Sequence, residues 1–172
     1  MRTRYTGMIK EIATAHGLDP DMVEAVVLQE SAGNTDAFRF EPDFWNRYMK
    51  GKPQWTGANP RRVSSSYGLM QIMYPVALEI GYSTDHPPEM LFVPEVGLTW
   101  GCQKLRQLAD WAAGLTVPAE IAKVEPNVHV LAGLAAYNGG RGGNNPAKNW
   151  PLRNGRYARE VVAKWQLLDS GK

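Results

Sequence analysis

Residues 19–31 read Asp-Pro-Asp-Met-Val-Glu-Ala-Val-Val-Leu-Gln-Glu-Ser. Asp19 followed by Pro20 marks a helix start. The short carboxylate can cap open backbone N–H groups, and proline suits the first helical position, where its missing N–H costs nothing. Met22, Val23, Val26 and Val27 then recur at helical spacing and make one apolar stripe. Glu30 follows Val27 by three residues and Val26 by four, so it continues that stripe. A carboxyl on a core-facing stripe loses hydration of its charged form, which raises its pKa and suits it to donating a proton near neutral pH. Read locally, the same position also fits a carboxyl at a fraying helix end, solvated or paired with an arginine.

Outward from this helix the chain is dominated by helix signals. Residues 5–15 predict a first helix with Met8, Ile9, Ile12 and Ala13 on one face, ended by Gly17. Gly33-Asn34 stops the second helix. Residues 35–66 are irregular and hold Phe38, Phe40, Phe44, Trp45, Tyr48 and Trp55 among prolines, glycines and charges. A stretch this long is functional or locally structured. Its rings suit stacking on sugar faces, and Phe44, Trp45 and Tyr48 equally suit packing of a short extra helix. A short helical piece is expected over residues 68–73, a helix from Pro75 to Ile80 closed by Gly81, and a long helix from about Pro94 to Ala113 with Leu98, Cys102, Leu105, Leu108, Ala109 and Ala112 on its core face. Residues 127–137 are apolar on most sides and read as a central buried helix. Asn138-Gly139-Gly140 ends it, a Gly/Asn-rich loop covers residues 141–151, and a last helix is expected over residues 154–168. The fold class is therefore mainly α, a single domain over residues 1–172, with helices around one buried helix.

Composition excludes several classes of function. The chain has 172 residues, enough to bury a core, and a formal charge of +2, too small to imply a nucleic-acid partner. The single cysteine, Cys102, excludes a disulfide framework and reads as a core thiol. His16, His86 and His129 are scattered without metal-ligand spacing, so neither a metal nor a cofactor is expected. No segment is apolar enough to insert in a membrane. From Arg141 to Lys172 seven basic residues stand against two acidic ones, a face suited to an anionic polymer or simply to water. The first 16 residues are charged and lack the apolar core of a signal peptide. That predicts action from the cytoplasm with outside help, delivery in a particle, or excision from something larger.

Three islands carry the chemistry: Glu30-Ser31, Gly68-Leu69-Met70-Gln71-Ile72, and Ala136-Tyr137-Asn138-Gly139-Gly140, followed by Tyr157-Ala158. In this order and helical context they resemble the soluble lytic transglycosylase family, with a goose-type-lysozyme-like catalytic domain, over about residues 5–165. The resemblance implies a lysozyme-like fold with a peptidoglycan-binding cleft and glycan strands as the partner. It implies Glu30 as the single acid and base and Ser31 as the neighbour that helps hold the site. Met70 and Gln71 would contact sugar, Tyr137 and Asn138 would shape the site and bond substrate, and the Tyr157 hydroxyl would lie near the catalytic carboxyl. The implied reaction cleaves the bond between N-acetylmuramic acid and N-acetylglucosamine and leaves a 1,6-anhydro end.

The chain departs from the family's usual pattern in places. Glu30 and Gly68 stand 38 positions apart, and residues 35–66 read as an insertion beside the cleft. Ser65-Ser66-Tyr67 replaces a lead-in of glycine and alanine. Two other functions stay open on the residues: a muramidase in which Asp36, Glu41 or Asp43 positions water, and a non-catalytic glycan-binding module. A wall-acting protein of a bacteriophage suits the sequence as well as a bacterial one does.

Overall fold

The computed structural model describes residues 2–171, which are mostly helical and carry one small sheet. Two compact units make up the chain: residues 2–29 with 102–171, and residues 30–101.

The first unit begins with α1 (Thr6–Ala15), which buries Ile9 and Ala13. It ends where Gly17 takes φ +64°, a conformation that spares glycine the clash a Cβ would meet. Next comes α2 (Pro20–Glu30). Its start is as expected: Asp19 Oδ1 accepts from the N–H groups of Asp21 at 2.8 Å and Met22 at 3.0 Å. Val23, Val26 and Val27 are buried, and so is Glu24, which the periodicity did not single out. The Glu24 carboxylate accepts from the Thr3 N–H at 2.7 Å, the Thr6 hydroxyl at 2.6 Å and Arg2 Nη1 at 2.8 Å. Burial alone would push this carboxyl up, yet the bonds from Thr6, Thr3 and Arg2 outweigh burial and hold it below the usual carboxylate range.

The long helix α6 (Pro94–Ala113) lies where its apolar spacing predicts, with Leu98, Cys102, Leu105, Leu108 and Ala112 buried. Burial pushes the Cys102 thiol up to about 12, so it is a core thiol and no nucleophile. A short helix, α7 (Ala119–Val124), was not expected. Seven residues between Pro118 and Pro126 are too few to show a helical period. The buried helix is α8 (Val128–Gly139), whose residues from Leu131 to Ala136 are all inaccessible. It packs chiefly on α9 (Gly155–Asp169), which buries Ala158, Val161 and Leu168. Arg159 pairs with Glu125 at 2.6 Å and ties α9 to the chain before α8.

The second unit holds a three-stranded antiparallel sheet in the order β1 (Phe38–Phe40), β2 (Ser65–Tyr67), β3 (Ile72–Met73). Residues 68–73 are thus not helical, as their sequence had suggested. They form the turn of a β2–β3 hairpin, with Tyr67 opposite Ile72, and β3 itself. Strands of two and three residues, buried at all positions but Met73, leave no alternation to read. The turn depends on Gly68, whose φ is +66°. A Cβ there would lie 2.5 Å from the Leu91 carbonyl oxygen. Gly68→Ala is expected to cost about 2 kcal/mol, from the left-handed backbone and the overlap together, and to lower the thermal midpoint by roughly 6 °C. An unchanged midpoint in a melting experiment would contradict this account of the turn.

The aromatic insertion is locally structured. After β1 come α3 (Pro42–Phe44), a π turn at Trp45–Met49, a 3-10 turn at Pro53–Trp55, and α4 (Pro60–Val63), capped by Asn59 Oδ1 on the Arg61 N–H at 3.0 Å. Met49 and Val63 join the unit's core with Tyr67, Ile72, Tyr74 and Leu91, and Phe44, Trp45 and Trp55 pack against it. Tyr48 remains exposed. The helix α5 (Tyr74–Glu79) follows, one residue earlier than expected at each end, and a 3-10 turn at Pro88–Phe92 leads into α6.

Candidate functional site

In the second unit the first two islands meet. Glu30 is the last residue of α2 and is half-buried. Ala32 at φ +52° and Gly33 at φ +80° turn the chain sharply away from the helix. The Ser31 hydroxyl donates to the Leu69 carbonyl at 2.8 Å and accepts from the Gly33 N–H at 3.2 Å. One side chain therefore fastens the end of α2 both to its own turn and to the Gly-Leu-Met-Gln turn. Glu30 is carried on an anchored backbone.

The hairpin turn is itself braced. Gln71 holds φ +48°, unusual outside glycine. Its Nε2 donates to the carbonyls of Ala37 at 2.9 Å and Gly68 at 3.0 Å. The amide nitrogen thus serves the turn. Met70, expected to touch sugar, has no solvent exposure. A Cβ on Gly101 would come 2.4 Å from its sulfur, so Met70 fills the space that glycine leaves on α6. Its thioether is core, and the expected sugar contact gives way to packing.

The remaining island lies in the first unit. Helix α8 continues two residues past Tyr137, so Asn138 belongs to its last turn and is not a cap. Gly140, at φ +76°, ends the helix by donating its N–H to the Ala136 carbonyl at 2.8 Å. Tyr137 is half-buried and Asn138 exposed. Asn154 Nδ2 donates to Asn138 Oδ1 at 2.8 Å. Behind it sits Asn144, fully buried, whose Nδ2 reaches the carbonyls of Gly140 at 2.8 Å and Ala135 at 3.2 Å and Asn154 Oδ1 at 3.1 Å. Asn144 Oδ1 accepts from the Asn154 N–H at 2.9 Å. A Cβ on Gly139 would lie 2.0 Å from Asn154 Oδ1, so a larger residue there would displace the Asn154 side chain. Asn144 escaped the sequence reading because it lies in a Gly/Asn-rich stretch that reads only as loop, and Asn154 because it reads only as the start of the last helix.

Tyr157 occupies the first turn of α9 and is half-buried. Further along α9, Glu160 Oε2 accepts from Gln29 Nε2 at 3.0 Å and Lys164 Nζ donates to Gln29 Oε1 at 2.7 Å. The residue before Glu30 is thereby held from α9 at both ends of its amide.

Residues 7–158 match the family model of the transglycosylase SLT domain. The chain belongs to that family. Among solved structures it is similar to an inactive mutant of the lytic transglycosylase Slt from Pseudomonas aeruginosa, at 20% identity and a TM-score of 0.59. The alignment covers 97% of this chain and 25% of that one, so the SLT domain spans about a quarter of that protein's length. At this identity the likeness speaks for the lysozyme-like fold. No curated protein matches the chain.

Several other expected features find their places in the SLT domain. Of the basic residues near the C-terminus, Arg156 pairs with Glu160 at 2.9 Å, and Arg141 stacks over Trp111 with 5.6 Å to the ring centre. Glu41 pairs with Arg39 at 2.5 Å and accepts from the Ser66 hydroxyl at 3.4 Å, whereas Asp36 and Asp43 are exposed. A groove of about 810 Å³ runs between the insertion and α5, lined by Tyr48, Lys52, Trp55, Tyr74 and Glu79 among others. None of the residues of the three islands lines it. Among the described residues no helix is long and apolar enough to cross a membrane.

Proposed function

We propose that this SLT domain acts at the bacterial cell wall and cleaves the β-1,4 bond between N-acetylmuramic acid and N-acetylglucosamine, leaving a 1,6-anhydro end. Glu30 carries the chemistry. Protonated, it gives its proton to the glycosidic oxygen as the bond from that oxygen to the muramic C1 breaks. The substrate's own N-acetyl group shields the cationic C1. Ionised Glu30 then takes the proton of the muramic C6 hydroxyl, whose oxygen bonds to C1. Atoms balance without water, so one carboxyl acting as acid and then base is sufficient.

The observation that carries this reading is the Ser31 to Leu69 bond, which binds the helix end bearing Glu30 to the Gly-Leu-Met-Gln turn at 2.8 Å. Proton transfer in both directions at one sugar needs a carboxyl held in place, and a braced helix end supplies that. Gln71 through Oε1, and Tyr137, Asn138 and Tyr157, are the proposed substrate contacts. Met70 is left out of that set because it has no exposed surface. Glu41, one of the three carboxylates considered for a muramidase, is engaged by Arg39, which argues against a water-activating role for it.

Mass spectrometry of muropeptides released from purified peptidoglycan tests the proposal. Anhydro-muramic ends, lighter than reducing ends by one water, are the expected product. Reducing muramic ends would replace the proposal with a muramidase and return attention to Asp36 and Asp43. Binding without release would leave only a glycan-binding module.

A further inference from the structure

We propose that Glu160 and Lys164 are positioning residues for the acid: together they grip the Gln29 amide and hold the last turn of α2, so that Glu30 keeps one place through both proton transfers. The inference rests on the proposed role of Glu30 and adds the device that keeps it still.

Glu30 is the last residue of α2. A helix end frays, because its last carbonyls have no partner within the helix. The proposed reaction asks more of this end than of an ordinary one. One carboxyl must serve the glycosidic oxygen and then the C6 hydroxyl, and a misplacement of about 1 Å can cost about a hundredfold in rate. Ser31 fastens the chain after Glu30 to the Leu69 carbonyl at 2.8 Å. The residue before Glu30 is fastened from α9. Glu160 Oε2 accepts from Gln29 Nε2 at 3.0 Å, and Lys164 Nζ donates to Gln29 Oε1 at 2.7 Å.

The chemistry of this grip fixes its geometry. A carboxylate only accepts and an ammonium only donates, so the Gln29 amide has one orientation between them. Each bond has one charged member, which makes it stronger than a neutral pair. Gln29, Glu160 and Lys164 are all half-buried, so water competes less than at an open surface. Arg156 takes the other Glu160 oxygen at 2.9 Å, and the bonds from Arg156 and Gln29 hold the carboxyl below the usual carboxylate range. Glu160 and Lys164 are four residues apart and share one face of α9. Tyr157, three residues before Glu160, lies on the same face. The grip therefore takes α2 by the face of α9 that also carries a proposed substrate contact.

Glu160→Lys, Lys164→Glu and the two together test this. Each single variant leaves like charges on both sides of the amide, so only one of its ends can bond. The double variant restores one donor and one acceptor, and the amide turns over to meet them. Initial rates are measured on soluble, uncross-linked peptidoglycan strands, with kcat and KM separated and a thermal melt beside them. Each single variant is expected to lower kcat about tenfold and to change KM less than about twofold. The double variant is expected to return to within about threefold of the native kcat. Arg156 loses its partner in Glu160→Lys and in the double variant alike, and at 94% exposure it regains water, so the rescue reports the grip on Gln29. Gln29→Met keeps the length of the side chain without either bond. It is expected to match the single variants, and it decides the matter should a charge variant fail to fold. An unchanged kcat in Gln29→Met, or a double variant as slow as the two single effects multiplied, overturns the proposal. So does a lower midpoint with kcat per folded molecule unchanged, which would make the grip a bond of the fold alone. Glu30→Gln in the same assay keeps the two readings apart. If it is inactive while the grip variants run at the native rate, the grip falls and Glu30 stands. If it is active, the role of Glu30 falls and the grip falls with it.

Discussion

Glu30→Gln is expected to lower turnover of peptidoglycan at least about a thousandfold while the protein stays folded. Glutamine keeps the shape of the side chain and can still hydrogen-bond, but it has no proton to give the leaving oxygen and no basicity to take one from the C6 hydroxyl. Both halves of the proposed reaction use the same group, so no other residue is assigned to compensate for its loss. The supporting structure should survive, because the Ser31 and Gly33 bonds that shape the helix end belong to neighbouring residues. The measurement is the initial rate of muropeptide release, with circular dichroism and a thermal melt beside it. A folded variant that keeps more than a tenth of the activity would remove Glu30 from the mechanism.

A second large effect lies in the same helix and concerns stability. Glu24→Ala is expected to cost about 3 kcal/mol and roughly 9 °C in thermal midpoint, because the Thr3 N–H, the Thr6 hydroxyl and Arg2 all lose their acceptor at a site with 1% exposure. Arg2 is half-exposed and regains water, so most of the loss falls on the two threonines and on the space left behind. The pH dependence has a defined sign. The folded-state pKa of Glu24 is lowered from its ordinary 4.5, so its contribution is complete above that value and is lost as the pH falls through the lower folded value. The gap in midpoint between the native chain and Glu24→Gln should therefore narrow from about pH 6 to about pH 3. Asp21, lowered chiefly by its bond to Arg2, loses stability with the same sign and does so in both proteins. A gap that widens in acid would show that Glu24 is not held ionised in the native state.

Two of the three carboxyls of α2, Glu24 and Glu30, show how far sequence reading reaches. Glu30 stands out in the sequence because it continues an apolar stripe, and helical period alone can show that. Glu24 lies off the stripe and is nonetheless the more buried, because Arg2, Thr3 and Thr6 close over it. Its burial depends on a segment 18 to 22 positions away in the chain, and no local pattern records such a contact. The same holds for Met70. Its motif suggested a sugar contact, while its surroundings on α6 decided that it packs.

What the sequence by itself determined is set by local chemistry: the Asp19-Pro20 helix start, the ends at Gly17 and Gly81, the long helix α6, the buried helix α8, and the order of the three islands. These depend on caps, proline and glycine backbone limits and a period of 3.6, all of which act within a few residues. Only the tertiary structure decided that residues 68–71 turn as a hairpin, that the insertion folds onto its own core, and that Asn138, Asn144 and Asn154 are joined by hydrogen bonds. Each of those depends on which donor meets which acceptor, or which side chain fills which space, between segments far apart in the chain. Such pairings are fixed by packing and hydrogen-bond satisfaction in three dimensions, and the linear order of residues does not display them.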